Sequence, residues 1–478
     1  MTRTTVATAL GLLILAAADS GPRAGAQKAE PAPMPRAGGK LRSVPHRVVR
    51  VSPEDAKHPA EVSVAINPVY PEHIVVSSFQ RAQPGRYFVS NHTYSSTDDG
   101  QTWKHLAAPN RDRRVQGDDS VTFGPDGTVY PCYLSALGFG QPNPIRAASG
   151  LFVRRSADGV KWEPPVPVVD HVNTLEPMED KPWIAVDAVG NSPHRGNVYV
   201  SWTRFDRYGS PDPEHRSRIF LSRSRDGGKT FATPVRLSDK SGNALDDSGT
   251  VEGAVPAVGP KGEVYVAWAG PEGIVMDKSE DGGFTFGKDV KVADHTGWSF
   301  GVPGVGRHNG LPVTGCDVSG GKNRGSVYVC WIDKRNGDPD VFVSASRDGA
   351  KTWGEPVRVN TDGLKNGKDQ LFAWMAVDPA DGSVNVVFND RRDSADAKDT
   401  RLAVTVARSV DGGLSFANYG VRLEPFPIGR AFLGDYTGIA ALRGKVVAVF
   451  PHFIARDELA VSAAIFRFRS GSLEVVGE

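Results

Sequence analysis

Nine residues stand out in this 478-residue chain as groups able to do chemistry. Arg204, Arg335, Arg391 and Arg392 fall in long charged segments, "TRFDRYGSPDPEHRSR" (Thr203 to Arg218), "IDKRNGDPD" (Ile332 to Asp340) and "NDRRDSADAKDTR" (Asn389 to Arg401). Arg430 is the second residue of "GRAFLGDY" (Gly429 to Tyr436), which ends in Asp435 and Tyr436. Asp180 lies in "MEDKPW" and Asp369 in "KDQLFAW". A guanidinium is a planar fork of donors that matches a carboxylate through two bonds at once. Carboxyls beside it can give or take a proton. The set suits an anionic ligand, and any single arginine in it suits a solvated surface ion pair equally well.

Other chemistries leave weaker traces. Asp118 with Asp119, or the run "NGDPD", offers oxygen ligands for calcium, but no spaced ligand loop follows. The 11 histidines show no zinc-ligand spacing. A Gly-rich phosphate loop and a nucleophile elbow are both missing from the sequence. Neither a metal nor a cofactor is expected.

What must position these residues is a repeat. "SRSRDGGKTF" (Ser222 to Phe231) recurs as "SSTDDGQTW", "SADGVKW", "KSEDGGFTF", "SASRDGAKTW" and "RSVDGGLSF". The shared pattern is Ser-x-Asp-x-Gly-x-Thr/Ser-aromatic, with Asp accepting backbone hydrogen bonds in the turn and Gly supplying positive φ. Upstream of most copies stands a strand that starts Gly-x-Val and ends in an aromatic, such as "GNVYVSW", "GEVYVAW" and "GSVYVCW". Another short apolar strand precedes each of these. Each unit thus reads strand A, tight turn, strand B, variable loop, strand C, Asp-turn, strand D, the pattern of a four-stranded β-propeller blade. Counting B strands gives seven blades; counting Asp-turns gives six, which stays as the alternative. The last unit supplies only three strands, so "HRVVRVS" (His46 to Ser52) is expected to complete it and close the ring.

In such a ring the A–B and C–D turns share one face, and the B–C and D–A loops share the other. The Asp-turns are therefore architectural. The arginines and acids named above are expected together on the opposite face, at the mouth of the central channel.

The turn pattern resembles the Asp-box, or bacterial neuraminidase repeat, over residues of about 60 to 470. The whole chain is similar to secreted bacterial proteins of the sialidase family, through "KPWIAVD", "WMAVDPADG", "NDRRD" and "FLGDYTG". The resemblance implies an exo-α-sialidase-like glycoside hydrolase acting on an anionic glycan, with an arginine cluster for the sialic-acid carboxylate. It also implies a Tyr nucleophile assisted by Glu, and an Asp acid/base. Tyr436, Asp435 and Asp369 are the catalytic candidates, and Arg204, Arg335, Arg391, Arg392, Arg430 and Asp180 the substrate-binding ones. The sialidase Arg-Ile-Pro motif is absent, so these positions rest on loop geometry. The alternative is a non-catalytic propeller that binds a glycan or a protein on the same face.

Composition fits that picture. With 56 Lys plus Arg against 55 Asp plus Glu, the net charge of +1 gives no reason to expect a nucleic-acid partner. Arg3, the apolar "ATALGLLILAAA" and Ala24-Gly25-Ala26 predict a signal peptide over residues 1–26, with no membrane anchor. Residues 27–44 read as a flexible lead-in and 45–478 as one propeller domain, a secreted or periplasmic monomer. Cys316 and Cys330 flank the hairpin tip "GGKNRG" symmetrically about Asn323, which would set them opposite each other, either bonded or as two buried thiols.

Overall fold

The computed structural model describes residues 40–81, 89–110, 114–138, 147–396, 399–429 and 432–476. The expected leader (1–26), most of the lead-in and Arg430 lie outside them.

Seven antiparallel four-stranded sheets make up the ring, and all regular structure among the described residues is strand. The inner A strands are Ala60–Ile66, Val115–Phe123, Met178–Val186, Glu252–Val258, Val313–Cys316, Gln370–Val377 and Gly438–Leu442, which we number as blades one to seven. In the first six blades the chain runs outward in order. The seventh takes its outer strand from the N-terminal segment Arg47–Arg50, paired antiparallel with Glu458–Arg467 from Arg47↔Ile465 to Arg50↔Ser462. Seven blades closed by the N-terminal strand is the architecture the repeat predicts. Asp99, in the Asp-turn of the first blade, locks the closure by pairing with Arg47, Lys445 and Arg467 of the seventh.

The core is divided as the blades are. Seven hydrophobic clusters form, one in each gap between neighbouring sheets. Trp202, Trp268 and Trp331 lie inside B strands that run two or three residues past them, and they are at most 1% exposed, so the recurring aromatic marks the gap it fills.

The repeated turn is a fastener with two parts. Ser224 Oγ donates to Asp226 Oδ1 (2.7 Å) and accepts from Gly228 N (2.8 Å). The Asp226 carboxylate accepts from Lys229 N, Thr230 N and Thr230 Oγ1 at 3.0, 3.0 and 2.6 Å. Asp98, Asp281, Asp348 and Asp411 repeat this set. The shorter copy at Asp158 keeps its serine and two backbone donors. The second part reaches the preceding blade. A Cβ placed on Gly283 would lie 3.1 Å from Tyr199, and one on Gly228 would lie 3.2 Å from Tyr130. The tyrosine of "GTVY" or "GNVY" is therefore the seat of the next blade's turn. The sixth blade carries Asn385 at that place, and its neighbour, built from both chain ends, has no such turn.

One expectation changes. Cys316 pairs with Val327 and Cys330 with Val313, so the cysteines are offset by three positions and face opposite sides of the sheet. All three cysteines are free and buried. The hairpin turns nearer Gly321 than Asn323, which shifts the register. The described end of the lead-in is docked on the sixth blade, where Arg42 N donates to Asn418 O (2.8 Å).

Candidate functional site

The inner strands break register at one recurring place. β-Bulges fall between Ala60 and Ser63, Gly117 and Ser120, Asp180 and Trp183, Glu252 and Val255, and Leu371 and Trp374. Each bulge contains a residue with positive φ: Glu61 (52°), Asp118 (53°), Lys181 (47°), Gly253 (79°) and Phe372 (52°). A bulge re-aims a side chain, and a non-glycine residue held there costs of order 1–3 kcal/mol. Four blades carry that strain at the channel end opposite the Asp-turns.

What the bulges bring together is a buried ionic network. Lys181 Nζ lies 2.9 Å from Asp435 Oδ2 and 3.2 Å from Glu252 Oε1, although neither Glu252 oxygen accepts a hydrogen bond. Arg307 grips Asp435 with both arms of its fork, Nε to Oδ1 at 2.8 Å and Nη2 to Oδ2 at 2.7 Å. Its Nη1 reaches Asp246 at 3.3 Å. Asp435 N donates to Glu61 Oε1 (3.4 Å), and the carboxyls of Glu61, Asp118 and Asp180 are linked in a chain by hydrogen bonds through Asp118.

Carboxyls outnumber cations here, and the environment sorts them. Burial, reinforced by Asp435, pushes Glu61 up to about 7. Burial with Glu61 as neighbour does the same to Asp118, and burial opposed in part by Lys181 raises Asp180 to about 7. Burial would raise Asp435 as well, but the Lys181 ammonium and the Arg307 guanidinium outweigh it and hold Asp435 below the usual carboxylate range. Near neutral pH the site therefore keeps protonated carboxyls beside an ionised one. Separating the pKa values of neighbouring carboxyls in this way is how acid and base roles are assigned.

An aromatic plug underlies the network. Trp183 and Trp374 meet across the channel with ring centroids 4.2 Å apart, and Tyr436 packs on them at 5.4 and 5.5 Å. The Tyr436 hydroxyl donates to the Asp119 carbonyl at 3.3 Å. Burial and the acids around it, Glu61 foremost, keep its proton on. Outside the network, Arg307 (side chain 41% exposed) lines a cleft of about 520 Å³ with Ile428, Phe432 and Leu433.

Of the residues marked by sequence, Asp180, Asp435 and Tyr436 meet in this cluster. Asp180 stands near the start of the third blade's inner strand, and Asp435 and Tyr436 directly precede the inner strand of the seventh, Gly438–Leu442. The other described ones, Arg204, Arg335, Arg391, Arg392 and Asp369, do not join them, and Arg430 lies outside the described residues. Arg204 pairs with Glu179 (2.6 Å) and stacks over Phe220; Arg335 pairs with Asp333 (2.5 Å) and stacks over Phe342. Arg392 holds Asp390 at 2.6 Å, and Arg391 holds Asp369 at 2.7 Å while donating to the Pro303 and Thr400 carbonyls. Arg204 bridges neighbouring strands of its own sheet, Arg335 and Arg392 fold back onto the ends of the strands before them, and Arg391 joins the loops of Asp369, Pro303 and Thr400. Sequence spacing missed Glu61, Lys181, Glu252, Arg307 and the two tryptophans. Aligning the inner strands would have found Glu61, Asp118 and Lys181, which occupy equivalent bulge positions. Among the described residues no group of three or more His, Cys, Asp or Glu side chains is arranged to hold a metal ion.

No family model and no curated protein matches the chain. Solved structures match over much of its length at low identity. A protein of unknown function from Dyadobacter fermentans is 14% identical with a TM-score of 0.49, covering 90% of this chain and 99% of that one. A leech intramolecular trans-sialidase is 10% identical with a TM-score of 0.48, covering 79% and 70%. The α-L-arabinofuranosidase arb93a of Fusarium graminearum is 12% identical with a TM-score of 0.47, covering 90% and 98%. The propeller assignment rests on the strand order of this chain itself.

Proposed function

We propose that the chain is an exported glycoside hydrolase acting on an anionic glycan at the face formed by the D–A and B–C loops. Glu61 is the proton donor to the glycosidic oxygen, and Asp435 is the ionised partner on the substrate or on the attacking water. Arg307, the network guanidinium open to the cleft, is the anchor for the anionic group. One observation carries the reading: Glu61, raised to about 7, sits against Asp435, held ionised by Lys181 and Arg307. The strained bulges at Glu61, Asp118 and Lys181 add support, because such strain persists where a site needs it.

The sialidase-like form of the proposal places a sialic-acid carboxylate on Arg307. It has to do without Arg204, Arg335, Arg391 and Arg392, each engaged by an acid close to it in the same sheet or its loops. Tyr436 acts in this scheme by positioning, since its hydroxyl keeps its proton. A second reading, a non-catalytic glycan binder, draws on the burial of Glu61 and Asp435, at 3% and 5% exposed.

The test is turnover of a panel of fluorogenic sialosides, uronides and arabinosides between pH 4 and 8. Hydrolysis of any member supports the enzyme. No turnover across the panel, with saturable binding of an anionic glycan, replaces the enzyme with the binder.

A further inference from the structure

The plug gives the channel a floor, and the space above it is a second site on the other face. A pit of about 340 Å³ runs from Trp183 and Trp374 to the exposed residues Ala188 and Pro379 at the A–B turns. Its wall comes from the inner strands of all seven blades and is narrow in side chain, with Ala185, Gly315 and Ala376 leaving the room. No charged residue lines it. Each inner strand is paired with one strand only, so its other edge offers backbone N–H and C=O groups except where a neighbouring blade takes them, as Ser63 Oγ does at Val121 N (3.1 Å).

We infer that this pit binds one neutral pyranose ring, as a free sugar or as the end of a glycan. The volume suits a single ring rather than a chain. The two indoles at the floor give apolar surface for the C–H side of a sugar. A purely aromatic ligand would leave the strand-edge donors and acceptors without partners, which costs about 1–3 kcal/mol for each buried group. A charged sugar would enter with no counter-charge. The plug separates this site from the carboxyl network, so the inference is independent of hydrolysis on the opposite face.

Tryptophan fluorescence of the full chain, titrated with the methyl pyranosides of glucose, galactose and mannose, tests it. At least one should quench saturably with one site per chain, and D-glucuronate should not displace it. Ala376→Leu and Ala185→Leu, which fill the pit from two blades, should each weaken binding at least tenfold while keeping the wild-type melting curve. Arg307→Ala, on the far side of the plug, should leave affinity unchanged. Should one filled variant fail to fold, the other carries the test. Absence of saturable quenching by all three sugars, unchanged affinity in a folded filled variant, or displacement by glucuronate would overturn the assignment.

Discussion

Lys181 Nζ and Asp435 Oδ2 meet at 2.9 Å, a bond that joins the third blade to the seventh across the channel. Lys181 also faces Glu252, and its side chain is 9% exposed. Removing one partner of a buried pair leaves an uncompensated charge and costs about 3–5 kcal/mol. Lys181→Met should lower unfolding free energy by that order in denaturant titration, and adding Asp435→Asn should return part of it. A loss below about 1 kcal/mol would mean that the acids around Lys181 are neutral and need no cation.

Stability should peak in mildly acidic solution. Glu61, Asp118 and Asp180 are raised to about 7 in the folded chain. Their contribution is complete below the ordinary carboxyl range of about 4, because folded and unfolded forms are then both protonated. It falls as pH rises, and is lost on passing about 7. The Asp-turns act in the opposite sense. Hydrogen bonds from Thr102 and Thr230 bring Asp98 and Asp226 to about 2, in Asp226 against the effect of burial. Their contribution is present above the ordinary Asp value and disappears as pH falls toward 2. Melting temperature measured from pH 3 to 8 should pass through a maximum, and Asp118→Asn should flatten its alkaline side. A melting temperature that climbs from pH 5 to 8 would contradict the raised values.

Ala350 holds φ of 67° where the matching turns have Gly228, Gly283 and Gly413. Left-handed backbone is costly for any residue with a Cβ, while glycine gives up more freedom on folding. Ala350→Gly should raise stability by up to about 1 kcal/mol in chemical denaturation. A decrease would show that the Ala350 methyl, buried against the fourth blade, outweighs the strain.

Asp226→Ala removes the acceptor for Lys229 N, Thr230 N and Thr230 Oγ1. The expected cost is about 1–2 kcal/mol, comparable to losing a helix cap. Turnover or ligand affinity measured on the folded variant should be unchanged. An equal loss of activity would move the turn from fastening to function.

The fold was legible because the same phase returns in turn after turn: Asp-turn, Gly-x-Val strand and closing N-terminal strand all follow from periodicity. That phase also pointed to the face on which Asp180, Asp435 and Tyr436 meet. Four of the arginines stand apart from that cluster, two of them for a local reason. Arg335 and Arg392 each have an acid two residues away, Asp333 and Asp390, and fold back onto it, which loop charge alone does not reveal. Glu61 and Arg307 stayed hidden for the opposite reason: their partner Asp435 is remote in sequence and reaches them only once the ring closes. The cysteine register failed because symmetry about a hairpin tip does not say where the turn is made.

The most direct test of the account is the turnover of the best-cleaved glycoside by Glu61→Gln and Asp435→Asn, each shown to be folded, beside Arg335→Ala. Loss of a general acid or its ionised partner should lower kcat by about 10²–10⁴, while Arg335→Ala, which frees only a loop latch, should stay near wild type. Wild-type rates in both carboxyl variants, or a collapse confined to Arg335→Ala, would contradict the placement of the chemistry at the bulged ends of the inner strands.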